Sequence, residues 1–306
     1  MSAPALGRLL TAMVTPFDQS GEVDLRAAAQ IARYLVDEGN DGVVVAGSTG
    51  EGTSLSDDEK IALFAAVKES LGSGGIVIAG TGNANTRGSV ALSKRAAAVG
   101  VDALLLTVPA YCKPTQEGML AHFGAIADAT NLPIVIYNIP SRTAANLLPA
   151  TLFELARRHP TIVGVKESSG DLAQISAVVR GKREGFTVWG GDDYLCLPTL
   201  AVGGAGLVSV AGHLCARELR AMIDAYARGE VQHAQDLHLQ LSPLIAALFT
   251  ITSPIPVKWA LSELGFRVGA CRPPLSRITE TAAAQLAPLL EPFRERVQAA
   301  RLILAR

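Results

Sequence analysis

Lys166 closes the apolar run Ile162-Val163-Gly164-Val165, and a charged amine in that place has two readings. With the two-residue period of a strand, Ile162, Gly164 and Lys166 share one face, with room left beside Gly164. If that face is buried, desolvation disfavours the ammonium, and the free amine is a nucleophile able to form a Schiff base with a carbonyl. The other reading is a strand-end lysine paired with Glu167 or another carboxylate. Tyr137 closes a second apolar run, residues 133–137. A phenol beside such an amine relays protons when another hydroxyl supports it. Ser48 and Thr49, within Gly47-Ser48-Thr49-Gly50-Glu51, supply hydroxyls. Plainer readings stand beside these: a buried tyrosine, Tyr137 or Tyr111, needing a hydrogen-bond partner, and a Gly-Ser-Thr-Gly tight turn. Arg142 offers a forked guanidinium suited to a carboxylate, or a surface ion pair.

Other chemistries have less support. The histidines, His122, His159, His213, His233 and His238, lack metal-ligand spacing, so no zinc site is expected. Asp192 and Asp193 suit a turn as well as a cation. Gly203-Gly204-Ala205-Gly206 precedes an apolar run instead of following one, which favours a turn over a phosphate cradle. Cys112, Cys196, Cys215 and Cys271 have neither metal nor redox spacing and read as reduced thiols. Lys and Arg number 27 against 28 Asp and Glu, so nothing neutralises a nucleic-acid backbone in bulk. With 49% hydrophobic and 18% charged residues the chain is not disordered. A mean hydropathy of +0.30 suggests apolar surface hidden in an oligomer. Residues 1–14 hold no long apolar stretch behind a basic start, and no apolar stretch reaches the ~18 residues of a membrane span. A cytoplasmic protein is expected.

The elements that must hold these side chains come from eight short runs: 9–14, 42–46, 76–79, 103–108, 133–137, 162–165, 187–189 and 206–210. Most are rich in Val, Ile and Leu without polar alternation, as strands covered on both faces are. Helical stretches separate them at 25–38, 56–71, 84–99, 116–129, 149–158, 171–180 and 194–202. Asp24 suits a helix cap, and Ser56 with Glu59 has capping-box spacing. Strand starts lie about 20–35 residues apart, the length of a βα unit. Eight such units close most simply into a (β/α)8 barrel. An open doubly wound sheet would show a glycine-rich fingerprint after the first strand, and Thr15-Pro16-Phe17 is not one. Beyond residue 216 only helical patterns recur, including Leu237, Leu241, Leu244, Ile245 and Leu248. Residues 1–225 therefore read as the barrel and 226–306 as a C-terminal helical domain. Barrel sites form at the C-terminal ends of strands, where Ser48, Thr49, Tyr111, Tyr137, Arg142, Lys166 and Gly191 would converge.

In combination, several segments carry a resemblance: Thr15-Pro16-Phe17, Gly47-Ser48-Thr49-Gly50-Glu51, Lys113-Pro114-Thr115-Gln116-Glu117-Gly118, Tyr137-Asn138-Ile139-Pro140-Ser141-Arg142-Thr143, Gly164-Val165-Lys166-Glu167 and Pro254-Ile255-Pro256-Val257-Lys258-Trp259-Ala260. From about residue 9 to at least 264 the chain resembles the dihydrodipicolinate synthase / N-acetylneuraminate lyase family, the pyruvate-dependent class I aldolases. The resemblance implies that Lys166 forms the Schiff base with pyruvate and that Tyr137 is the acid/base. It makes Ser48 the hydroxyl linking Tyr137 to Tyr111, a tyrosine that reaches a neighbouring subunit's site. Thr49 would bind the pyruvate carboxylate, with backbone around Gly191 and Val208 lining the pocket. It implies no metal or organic cofactor, and a homotetramer of two tight dimers. Arg142 resembles the arginine of the synthase branch, where it holds the carboxylate of L-aspartate 4-semialdehyde at the entry to diaminopimelate and lysine. Two other readings remain: an aldolase or lyase acting on a sugar-acid or aromatic aldehyde, and a keto-acid sensor without turnover. Ser48 stands where synthases often have threonine, and Ala110 where many carry tyrosine. Gly52, Thr53, Asp57, Lys60, Ala84, Gly88 and Ala110 stand where lysine-inhibited members have polar groups including histidine and glutamate, so weak or absent inhibition by lysine is expected.

Overall fold

The eight apolar runs form eight parallel strands, each bonded to the next and the last to the first, in a computed structural model that describes residues 6–304. They are β1 Leu9–Ala12, β2 Gly42–Val45, β3 Ile76–Gly80, β4 Ala103–Thr107, β5 Ile134–Asn138, β6 Ile162–Glu167, β7 Thr187–Gly190 and β8 Gly206–Ser209. The barrel is closed, as the runs implied, because both faces of every strand are covered. Outward residues such as Val43, Val45, Leu104, Leu106 and Ile136 pack under the helices. Inward residues such as Leu10, Val44, Ile78, Leu105, Val135 and Trp189 fill the interior.

The connecting helices are α1 Leu25–Asp37, α2 Asp57–Leu71, α3 Thr86–Val99, α4 Gln116–Ala127, α5 Pro140–Thr143, α6 Pro149–Arg158, α7 Leu172–Gly181 and α8 Cys196–Ala201. Asp24 caps α1 by accepting from Ala27 N, and Ser56 and Glu59 form the anticipated capping box on α2. The segment 194–202 is shorter than its pattern suggests: a 3-10 turn, Asp193–Leu195, precedes α8. The four-residue α5, started by Pro140, has no counterpart in the periodicity and is what carries Arg142 past the end of β5.

Helices α9 Gly212–Ala227, α10 Val231–Leu248, α11 Ile255–Glu263, α12 Glu280–Leu286 and α13 Glu291–Leu304 follow β8. The helical segment expected from 226 thus begins within the last turn of α9. Residues 1–5 of the expected barrel and 305–306 of the expected helical domain lie outside the described residues. Leu241, Leu244, Ile245 and Leu248 are buried, as their spacing implied. Among the described residues no helix is long and apolar enough to cross a membrane.

One strand departs from a plain two-residue period. β5 and β6 pair Ile134 with Ile162 but Val135 with Gly164, so Val163 is an extra residue. Such a bulge reverses which side chains face in. Ile162 consequently packs under the helices with Val165, while Val163 joins the interior. Ile162 does not share a face with Lys166; the bulge, invisible to a periodic count, separates them.

Candidate active site

Tyr137 and Lys166 are register partners on β5 and β6, one residue from the C-terminal end of each strand. Both are buried, at 3% exposure each. Lys166 Nζ lies 4.1 Å from the centroid of the Tyr137 ring. Among the described residues no carboxylate comes within ion-pair distance of it. The second reading of Lys166, a partner for Glu167, fails because alternation sends Glu167 to the opposite face. There its carboxylate accepts from Asn138 Nδ2 at 3.1 Å and from Ser169 N at 2.8 Å, with Gln174 nearby at 3.3 Å. Burial raises the pKa of Glu167, and the Asn138, Ser169 and Gln174 bonds pull it back.

The room expected beside Gly164 is taken. A Cβ there would lie 2.5 Å from Cζ3 of Trp189, whose indole fills the barrel and donates to Gly7 O at 3.0 Å. Gly191 is constrained more tightly. A Cβ on it would lie 2.0 Å from Ser168 Oγ and 2.7 Å from Lys166 Cε, so its lack of a side chain leaves the lysine its path. Val208, 2% exposed, belongs to the same interior cluster as Tyr137.

A cavity of about 550 Å³ opens beside Tyr137, with Ser48, Thr107, Arg142, Ser253 and Leu275 among its lining residues. Lys166, Thr49, Gly191 and Val208 do not line this cavity. Ser48 and Tyr137 share the wall, although among the described residues no hydrogen bond joins them. Thr49 is buried beside Ser48 at 4% exposure. Arg142 is exposed and donates from Nη2 to Ser253 O at 3.1 Å. Tyr111 is not brought to this site: it is 97% exposed, on a stretch where both it and Lys113 have positive φ.

Asp193 is a structural acid. Buried, it accepts from the Ser209 hydroxyl and from Val210 N and Ala211 N. The four cysteines are free, with Cys196 and Cys215 buried in packing. Sequence reasoning passed over Ser168, whose buried Oγ has no hydrogen-bond partner among the described residues. Counting two from Lys166 would have placed it on the lysine's face. It also passed over the outward Asn138–Glu167 bond, which stands immediately behind the inward Tyr137–Lys166 pair.

A buried primary amine against a phenol, at the open end of a closed barrel, is a site for imine chemistry on a small carbonyl compound. Residues 5–292 match the model of the dihydrodipicolinate synthetase family. The chain belongs to that family. Among its members, a 4-hydroxy-tetrahydrodipicolinate synthase of Moorella thermoacetica is 50% identical over 285 residues, 93% of this chain and 97% of that protein. A solved dihydrodipicolinate synthase from Bacillus anthracis superposes with a TM-score of 0.91 at 41% identity, covering 94% of this chain and 98% of that one. Another, from Acinetobacter baumannii and solved with pyruvate, gives 0.90 at 32% identity over 94% and 98%. Family membership and fold therefore agree.

Proposed function

We propose that the chain condenses pyruvate with L-aspartate 4-semialdehyde, the reaction of the 4-hydroxy-tetrahydrodipicolinate synthases it resembles over most of its length. The observation that carries the reading is Lys166: buried, without a carboxylate partner among the described residues, and 4.1 Å from the Tyr137 ring. Its Nζ attacks the pyruvate ketone, and loss of water leaves a protonated imine. That imine is an electron sink, so a methyl proton departs and the resulting enamine attacks the aldehyde carbon; the semialdehyde's own amine then adds to the re-formed imine carbon and displaces Lys166 Nζ as the ring closes. Tyr137 moves these protons, with Ser48 as its supporting hydroxyl. Thr49, with backbone around Gly191 and beside Val208, receives the keto-acid end. Arg142, held from behind by Ser253 O, presents its guanidinium to the distal carboxylate. No step needs a metal or organic cofactor.

Tyr111 completes the relay only across a subunit boundary, since within its own chain it faces outward. A homotetramer of two tight dimers, in the cytoplasm, is the assembly proposed. The test is pyruvate with borohydride, followed by mass spectrometry. A reduced pyruvyl adduct on Lys166, absent in Lys166→Ala, is the expected result. Turnover on aspartate semialdehyde then distinguishes the synthase from an aldolase acting on sugar-acid or aromatic aldehydes. An unlabelled Lys166 overturns the reading, and labelling without turnover on any aldehyde leaves a keto-acid sensor in its place.

A further inference from the structure

The loop bearing Ser48 and Thr49 is bounded by two strained residues. Ala46 has φ 55° and Glu51 φ 53°, left-handed values for residues that are not glycine. Such conformations persist where the surroundings over-determine them. Much of that surrounding structure comes from the far end of the chain. Glu51 Oε1 accepts from Lys258 Nζ at 2.8 Å, and Oε2 accepts from Arg272 N at 2.8 Å. The ion-paired side chains are 0% and 2% exposed. Lys258 Nζ also donates to Ala270 O at 3.1 Å. The Arg272 guanidinium reaches the same stretch again, at Ser54 O and Glu59 Oε1. Lys258 Nζ and the Arg272 guanidinium lie 4.3 and 4.4 Å from the Phe17 ring centroid.

We propose that Glu51, Lys258 and Arg272 are positioning residues: through them the C-terminal helical segment sets loop 46–51 and hence the Ser48 and Thr49 hydroxyls that receive the keto acid. The inference rests on the pyruvate reading of the site. It gives a role to Lys258 of the Pro254–Ala260 motif, which contacts neither Lys166 nor Tyr137. Lysine and glutamate are both needed because a strained, fully buried loop residue is held best by a directional, charge-assisted bond that water cannot replace.

The experiment compares the parent with the double variant Glu51→Gln/Lys258→Met, which leaves no unpaired buried charge. Thermal melting, steady-state kinetics and borohydride trapping of pyruvate on Lys166 are measured on each. The double variant is expected to melt within a few degrees of the parent. Its KM for pyruvate, and the pyruvate concentration giving half-maximal trapping, are expected to rise about tenfold or more together, with a smaller change in kcat. A folded double variant with parental pyruvate dependence overturns the inference. Should the double variant not fold, Glu51→Gln alone supplies the reading, with the same shift expected and parental dependence overturning it. An unlabelled parent is a different failure, that of the pyruvate reading and the inference with it.

Discussion

Two lysines of this chain are almost equally buried, and they are used in opposite ways. Lys166 is 3% exposed and Lys258 2%; their Nζ atoms lie 4.1 Å from the Tyr137 ring centroid and 4.3 Å from that of Phe17. What separates them is a carboxylate. Lys258 has Glu51 at 2.8 Å, and burial lowers its pKa while the Glu51 bond opposes the change. Losing water costs an ammonium several kcal/mol, against about 2 kcal/mol from an aromatic face. Lys258 makes up the difference with its partner. Lys166 has no such partner among the described residues, and its Nζ is left for a covalent one. Burial and an aromatic neighbour therefore do not mark a reactive lysine; the missing anion does.

That contrast predicts a crossed pattern of mutant effects. Lys166→Met is expected to fold with a melting temperature equal to or above the parent's, while losing imine labelling and turnover on the order of a million-fold, as when a covalent nucleophile is removed. Lys258→Met is expected to lose about 3–5 kcal/mol of stability in denaturant unfolding, because Glu51 is left buried and unpaired. If Lys166→Met proves the less stable variant, the comparison is broken.

Gly191 tests how much of the difference lies in access to the lysine rather than in its charge. Gly191→Ala puts a methyl into the space between Ser168 Oγ and the Lys166 stem. Lys166 must bend away, and a displacement of about 1 Å at a reacting atom costs about 100-fold in turnover. The expected result is a fall in kcat of that order, with borohydride trapping slowed in step. Unchanged trapping would mean that the lysine's path lies elsewhere.

The strands and their closure into a barrel were legible because doubly covered strands require continuous apolar runs. Lys166 and Tyr137 were legible because each ends such a run. What escaped was what the period of two cannot express. The bulge at Val163 moves Ile162 to the other face without changing residue types. The α5 turn is too short to have a period. The Glu51–Lys258 pair joins residues 207 positions apart, and nothing local announces it. Tyr111 is a different case: it is 97% exposed, and nothing in its neighbours in the sequence announced that.

A third buried base shows the alternative to pairing, which is to stay neutral. His213, at the start of α9, accepts from Val14 N at Nε2 and, as Nδ1–H, donates to Val210 O. Burial pushes its pKa down to about 4, with the Val210 bond opposing. The unfolded chain therefore takes up this proton at higher pH than the folded one. Stability from this residue is complete above pH ~6.5 and declines as pH falls towards 4, by about 1.4 kcal/mol per pH unit at most. Melting temperatures across that window should fall in the parent and fall less in His213→Gln. Equal slopes would assign the acid sensitivity to other groups.

The smallest effect concerns the remaining buried lysine. Lys60 is 8% exposed and lines the cavity beside Tyr137 with Thr53, Ala84 and Ala110. Among the described residues its carboxylate partner is Asp57, 3.8 Å away and half-exposed, a far weaker partner than Glu51 is to Lys258. Burial lowers the Lys60 pKa, and Asp57 opposes it. A free lysine entering this part of the cavity would bring a second ammonium to a wall already carrying Lys60 and Arg142. It would find alanine at 84 and 110, and Glu51 already committed to Lys258. Millimolar lysine is accordingly expected to change initial rates by less than about twofold, within the few tenths of a kcal/mol of a weak, solvent-screened contact. Lys60→Met removes the repelling charge and should leave that response flat or make it slightly inhibitory. Strong inhibition of the parent would show that a single weakly paired ammonium does not decide what this wall accepts, and would confine the lesson of the other two lysines to the barrel interior.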